Sequence, residues 1–372
     1  MHLSQKCGTR ALVMFTLAAA GHLAAQTQAP PASTNAVEIG AINGAPFRIE
    51  IPKDWNKGLV MYAHGYSVAT APPPSPDAPQ LRQMREAFVS RGFAFAQSVY
   101  SAQGWAVKEG IEDTEALRRY FVTKHGKPAE TYITGHSMGG HITIATIERY
   151  PDAYQGAMPM CGPLGPAVDF FNNGVFDMLV TFEALFPGTI GSPYEAAPTT
   201  AAKVKAALDA QPDAAAKFAQ RFSRPVGQLP GILTFFQTIA SELKQRAGGE
   251  PFDNRNRIYV GFADDVTMNR TVKRYRADPA ARDYLKLYAS PTGRTSDPVL
   301  TIHTTSDQLV LGSDVTAYEP LAALAGTSDL FVARFVAATG HCNINPAQTG
   351  AAFDALRAWA RDGKRPAAGE QK

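Results

Sequence analysis

Cysteine is scarce, with three in 372 residues, so the chain cannot be a small scaffold held together by disulfides. It also has no apolar run long enough to cross a bilayer, which takes about 20 residues. No cluster of Lys and Arg rises above ordinary surface scatter, which argues against a nucleic-acid partner. No metal-ligand spacing or phosphate-binding glycine loop is present either, so the chemistry points to no cofactor and no metal. What remains is an ordinary globular composition, 45% hydrophobic, 19% charged and 10% aromatic. A chain of this length can bury one large core, as a single domain or as one domain carrying an insertion.

The N-terminus reads as separate from that core. Lys6 and Arg10 precede an apolar run from Ala11 to Leu23, and the small residues Ala24 and Ala25 follow. This is the layout of a secretory signal peptide, residues 1–25, and the expected location is secreted or periplasmic. Residues 26–36, rich in Pro, Ala and Thr, read as a disordered leader. Losing Lys6 and Arg10 leaves 34 basic against 33 acidic side chains, and it leaves Cys161 and Cys342 as the cysteines of the mature chain. In an oxidising compartment these two can pair, or they can stay two separate buried thiols, because spacing along the chain does not give Cα separations.

From residue 37 strand and helix signals alternate. Val37–Ile42 and Phe47–Ile51 flank Asn43-Gly44, a hairpin turn signal. Gly58–Ala63 is a continuous apolar run, as expected of a parallel strand covered on both faces. Helix at 80–91, strand at 93–98, helix at 112–125, strand at 131–134, helix at 138–150 and strand at 156–160 follow. That rhythm predicts a mostly parallel central sheet with helices on both faces. It stops between about 162 and 298, where only helical stretches occur (201–210, 214–222, 232–246). It resumes with strand 299–304, helix 317–324, strand 330–336 and helix 346–361. The expected organisation is therefore an α/β core, 37–162 and 298–372, interrupted by a helical cap insertion, 163–297.

The chemistry centres on Gly135-His136-Ser137-Met138-Gly139, a G-x-S-x-G placed between a strand and a helix. A nucleophile on so sharp a turn needs small neighbours, and the following helix points its amides at the site. A serine hydroxyl needs a base and an orienting acid. His341 follows the strand at 330–336 and is the only histidine downstream of Asp307. The acid should follow the strand at 299–304, where Asp307 stands closest to the strand end. Asp314 competes, but it also suits a turn or helix cap. Two backbone amides should hold the oxyanion, those of Met138 and Tyr66, the latter in His64-Gly65-Tyr66 after the strand 58–63. The Tyr66 ring could line an acyl pocket or simply pack.

With its H-G-x, G-H-S-M-G-G, late Asp and G-H elements in this order, the chain resembles the α/β-hydrolase superfamily, on its secreted serine-esterase side. The resemblance implies the α/β-hydrolase fold with a helical cap. It also implies cleavage of carboxylic esters through an acyl-enzyme on Ser137, with His341 as base and Asp307 as acid. The substrate would be a small-molecule or polymer-linked ester, and no nucleic-acid partner or stable membrane insertion is expected. A secreted serine peptidase of the same fold is the alternative. Because the base must be neutral to act, activity should rise through about pH 6–8. Gly340-His341-Cys342 is also similar to the tannase and feruloyl-esterase group, in which a disulfide links the cysteine beside the histidine to one beside the serine. Here His136 precedes Ser137, so that particular bridge cannot form. The aromatics Phe170, Phe171, Phe176, Phe182 and Phe186 open the cap. They either pack against the core or line a substrate cleft, packing being the default.

Overall fold

A computed structural model describes residues 35–78 and 81–371. The expected signal peptide and nearly all of the leader lie outside these residues. Residues 35–371 form one compact unit. A nine-stranded sheet in the order β1-β2-β4-β3-β5-β6-β7-β8-β9 runs through it.

The chain enters through a hairpin, β1 (Ala36–Ile42) and β2 (Ala45–Ile51). Ala36 already pairs with Ile51, so the leader ends one residue earlier than its composition suggested. Asn43 and Gly44 both take positive φ, 51° and 83°. That conformation matches the twist of a two-residue hairpin. β2 lies antiparallel to β4 (Ala94–Ser98), and every later pairing is parallel. These strands are β3 (Gly58–Ala63), β5 (Glu130–His136), β6 (Gly156–Met160), β7 (Val299–Ser306), β8 (Phe331–Thr339) and β9 (Gly369–Gln371).

β3 is buried throughout, and its alternate side chains serve two different cores. Val60 and Tyr62 face Phe88 of α1 (Arg82–Val89) and Phe353, Leu356 and Trp359 of α12 (Pro346–Asp362). Leu59 and Met61 face Leu117 and Phe121 of α2 (Val107–His125) and Ile144 and Ile147 of α3 (Met138–Arg149). A sheet covered on both faces explains why its inner strands read as unbroken apolar runs. Two short helices, α10 (Gly312–Thr316) and α11 (Tyr318–Ala325), connect β7 to β8. α12 starts on Asn345, whose side chain accepts from Gln348 N while the Gln348 side chain accepts from Asn345 N. It stops at Gly363 in the left-handed region, as a capping box and a glycine terminator require.

Between β6 and β7 the described chain contains no strand. A π-helical segment, Val168–Phe176, runs into α4 (Asp177–Leu185). α5 (Ala201–Ala210), α6 (Pro212–Arg221), α7 (Leu229–Ala247), α8 (Asp265–Thr271) and α9 (Pro279–Tyr288) follow. The aromatics that open this insertion are buried and pack: Phe171, Phe176, Phe182 and Phe186 are each at most 2% exposed. Their cluster also takes in Ala63, Trp105, Ile111, Met138 and Ile142. The helices of the insertion thus share one hydrophobic core with the end of β3, α2 and the start of α3. No helix among the described residues is long and apolar enough to cross a membrane.

Candidate active site

Ser137 stands where β5 turns into α3, with φ 55° and ψ −120°, a backbone conformation that costs energy and persists only when its surroundings enforce it. Here they do. Ser137 N donates to Met160 O at 2.9 Å, and Gly140 N donates to Ser137 O at 2.8 Å. The flanking glycines are steric necessities. A Cβ on Gly135 would lie 2.4 Å from Gly139 O, and one on Gly139 would lie 2.0 Å from Ala63 O.

The loops after β7 and β8 bring Asp307 and His341 to this turn. His341 Nε2 lies 2.8 Å from Ser137 Oγ, and His341 Nδ1 lies 2.7 Å from Asp307 Oδ2. The Asp307 side chain is fully buried, whereas that of His341 is 24% exposed. Asp307 Oδ1 accepts from Leu309 N (2.8 Å) and Val310 N (3.0 Å). Burial pushes the Asp307 carboxyl up, but the hydrogen bonds from His341, Val310 and Leu309 outweigh it and hold the group below the usual carboxylate range. Asp307 is therefore ionised and accepts from Nδ1–H. Nε2 is then left as an acceptor for the Ser137 hydroxyl.

Asp314 does not join this chain. Its Oδ2 accepts from Leu311 N at 2.7 Å, the turn role weighed against it, and burial pushes its pKa up to about 6. Two other groups brace the Asp307 loop, and the sequence pointed to neither. The buried His303 lies 3.9 Å from Asp307 and, through Nε2, donates to Val310 O at 3.0 Å. Arg224, in the helical insertion and 7% exposed, reaches Leu309 O over 3.5 Å. His303 reads as an ordinary strand residue, and a lone arginine in a helical region carries no signal at all.

The loop after β3 lies against the elbow: a Cβ on Gly65 would meet His136 O at 3.1 Å and Ser137 Cβ at 3.5 Å. The amides of Tyr66 and Met138 meet no acceptor among the described residues. Met138 opens α3, so its N–H has no carbonyl one turn back to bond. The Tyr66 ring packs edge-on against Phe235, centroids 5.1 Å apart. Phe235 in turn lines a hollow of about 420 Å³ with Gly231, Ile232 and Leu309. A separate cavity of about 510 Å³, lined by Asn172, Asn173, Phe252, Arg257, Arg282 and Lys286 among others, includes none of Ser137, Asp307 and His341.

His136 accepts at Nδ1 from the Tyr62 hydroxyl, 3.0 Å away. Burial, and then the neighbouring His341, push its pKa down to about 4. An unfolded chain would take up a proton here between about pH 6.5 and 4 while the folded chain does not. Stability is thus fully present above pH 6.5 and lost as pH falls toward 4, by about 3 kcal/mol from this group. Urea midpoints at pH 7.5 and 4.5 should show a smaller drop in His136→Gln than in the parent chain. An equal drop would place the acid sensitivity elsewhere.

Cys161 follows β6, Cys342 follows His341, and the two form a disulfide with Cα atoms 5.3 Å apart. It closes a loop of 181 residues, so its removal should cost about 2–4 kcal/mol. The Cys161→Ala/Cys342→Ala variant is expected to unfold at lower urea. It should also lose kcat more than it raises KM, because the bridge holds the residue next to His341. Unchanged kcat would limit the bridge to a stabilising role.

A strand-turn-helix elbow carrying Ser137 on a mostly parallel, doubly covered sheet, with Asp307 and His341 on the loops after β7 and β8, is the architecture of the α/β-hydrolase fold. The family model described as "Putative esterase" matches residues 115–246, a span that runs from α2 through the elbow to α7 and includes Ser137. The match covers about a third of the chain. No curated protein sequence matches the chain significantly. Among solved structures, it is similar to Est1E from Butyrivibrio proteoclasticus, at 11% identity and a TM-score of 0.42 over 87% of this chain and 98% of that one. It is also similar to the bacterial brefeldin A esterase, at 14% identity and a TM-score of 0.47 over 89% and 75%. A Legionella pneumophila protein described as a "putative hydrolase" shares 17% identity at a TM-score of 0.48 over 85% and 84%.

Proposed function

We propose that this chain is an exported carboxylic-ester hydrolase that works through an acyl-enzyme, with Ser137, His341 and Asp307 as its catalytic residues. The observation that carries this reading is the unbroken hydrogen-bonded chain Ser137 Oγ, His341 Nε2, His341 Nδ1, Asp307 Oδ2, with links of 2.8 and 2.7 Å.

In the first half of the reaction His341 Nε2 takes the hydroxyl proton as Ser137 Oγ bonds to the ester carbonyl carbon. The negative charge moves to the carbonyl oxygen, where the free amides of Tyr66 and Met138 stabilise it. His341 returns the proton to the departing alkoxide as the ester C–O bond breaks, leaving an acyl-Ser137 and an alcohol. In the second half water attacks the acyl carbon as His341 Nε2 takes its proton, the bond from the acyl carbon to Ser137 Oγ breaks, His341 returns the proton to Oγ, and the carboxylic acid leaves. Asp307 stays ionised throughout, fixing the imidazole tautomer and offsetting its transient charge. Export is supported by the signal-like residues 1–25 and by the Cys161–Cys342 bond, which suits an oxidising compartment.

The test is hydrolysis of p-nitrophenyl esters from acetate to decanoate. A burst of one p-nitrophenol per chain followed by steady turnover is the expected signature of an accumulating acyl-enzyme. The preferred acyl length would then size the pocket. No turnover across the series would overturn the ester assignment.

A further inference from the structure

Helix α7 carries two side chains seven residues apart, Phe235 and Glu242, which therefore lie on one face of it. Between them they hold Tyr66. Phe235 meets the ring edge-on at 5.1 Å, and Glu242 Oε1 accepts from the Tyr66 hydroxyl at 2.8 Å. The other Glu242 oxygen accepts from Trp105 N, also at 2.8 Å. The backbone fits closely beneath it, because a Cβ on Gly104, whose φ is +82°, would lie 2.8 Å from Glu242 Oε2.

Trp105 belongs to the loop after β4, and that loop is itself tied to the segment carrying the Tyr66 amide. Gly104 N donates to Ser67 O at 2.8 Å, and the Tyr100 hydroxyl donates to His64 O at 3.0 Å. One carboxylate from the helical insertion thus joins three segments: α7, the loop after β4 and the loop at 64–67. Glu242 is partly buried, and burial pushes its carboxyl up, while the bonds from Tyr66 and Trp105 and the charge of Arg246 draw it back. Among the described residues, the bond to Glu242 is the only side-chain hydrogen bond of Tyr66, and its amide meets no acceptor.

We infer that Glu242 is a positioning residue that fixes the oxyanion-holding amide of Tyr66 through the Tyr66 hydroxyl, so that the helical insertion helps to set the rate of the chemical step. This rests on the proposed function above. Transition-state stabilisation by an amide is steep in distance, because the donor must already sit where the charge will develop. A loop that loses its anchor therefore lowers kcat more than it weakens substrate binding.

The experiment compares Tyr66→Phe, Glu242→Gln, Glu242→Ala and the Tyr66→Phe/Glu242→Ala double variant on p-nitrophenyl acetate. Fluorophosphonate labelling of Ser137 serves as a second readout. Tyr66→Phe and Glu242→Ala should each lower kcat and the labelling rate by about ten- to a hundredfold, with KM within about twofold. The double variant should be no slower than the slower single one, because both act through one contact. Glu242→Gln, whose amide oxygen can still accept from the Tyr66 hydroxyl, should recover part of the loss. If Glu242→Ala fails to fold, Tyr66→Phe against Glu242→Gln carries the comparison.

Multiplicative losses in the double variant, a change in KM alone, or an unchanged kcat in Tyr66→Phe overturns the inference. These outcomes leave Ser137-dependent turnover in the parent chain, and the proposed function, intact. A parent chain that neither turns over ester nor labels at Ser137 overturns both.

Discussion

Replacing Ser137 with alanine is expected to lower kcat on p-nitrophenyl acetate by about four to six orders of magnitude, with KM little changed. The magnitude follows from what is lost: without Oγ there is no nucleophile, no acyl-enzyme and no burst. On the proposed mechanism a residual rate above water should persist, because the Tyr66 and Met138 amides and the substrate contacts are untouched by the substitution. The fold should be unaffected. Alanine accepts the same φ of 55° at the same cost as serine, and the Ser137 backbone bonds to Met160 and Gly140 remain. A melting temperature equal to that of the parent chain, measured alongside the kinetics, separates lost chemistry from lost structure. Equal turnover in both proteins would remove Ser137 from the mechanism.

Asp307→Asn is expected to lower kcat by about 10⁴-fold, whereas Asp314→Asn should stay within about threefold of the parent chain. The contrast is geometric. Leu309 N and Val310 N both donate to Asp307 Oδ1, so in the asparagine variant they fix the amide oxygen in that place. The NH₂ group is then turned toward His341 Nδ1. A donor there forces the proton of His341 onto Nε2, where it can no longer accept from Ser137. At position 314 an asparagine oxygen can still accept from Leu311 N, and nothing in the Ser137 chain of bonds changes. The two variants, assayed side by side at pH 8, decide which aspartate orients the base. The reverse order of effects would exchange their roles.

Much of the sheet was legible because burial on both faces leaves an unmistakable mark. Gly58–Ala63 and Gly156–Met160 are strands over the residues that their apolar runs suggested, and the Asn43-Gly44 turn follows from its φ requirement. The elbow was legible for a related reason, since its glycines answer contacts of 2.0–2.4 Å that any Cβ would make. Other features were hidden by tertiary causes. α2 begins at Val107, earlier than the expected start at 112, and its first turns contain Gly110. A Cβ there would lie 2.4 Å from the Ile142 side chain, so that glycine serves close helix packing. β9 has no β-forming residues and exists by pairing with β8. Of the candidate site, the residues were readable one at a time from their places after strands. The Tyr66 side chain was not, since its partner is 176 positions away.

The order of strands in space also bears on how the molecule assembles. β6 and β7 lie side by side in parallel, yet the whole helical insertion separates them along the chain. Pairing across so long a loop costs more closure entropy than pairing between neighbours along the chain, which favours its forming late. The strands up to β6, with the Ser137 turn, involve shorter closures and can organise first. β7 and β8, which carry Asp307 and His341, need the longer closure across the insertion. A nascent or refolding chain would therefore pass through a stage that has its nucleophile but no base. The bond between Cys161 and Cys342 spans that same closure, so it ties the end of β6 to the segment after β8 and holds the late-arriving part of the site to the early one.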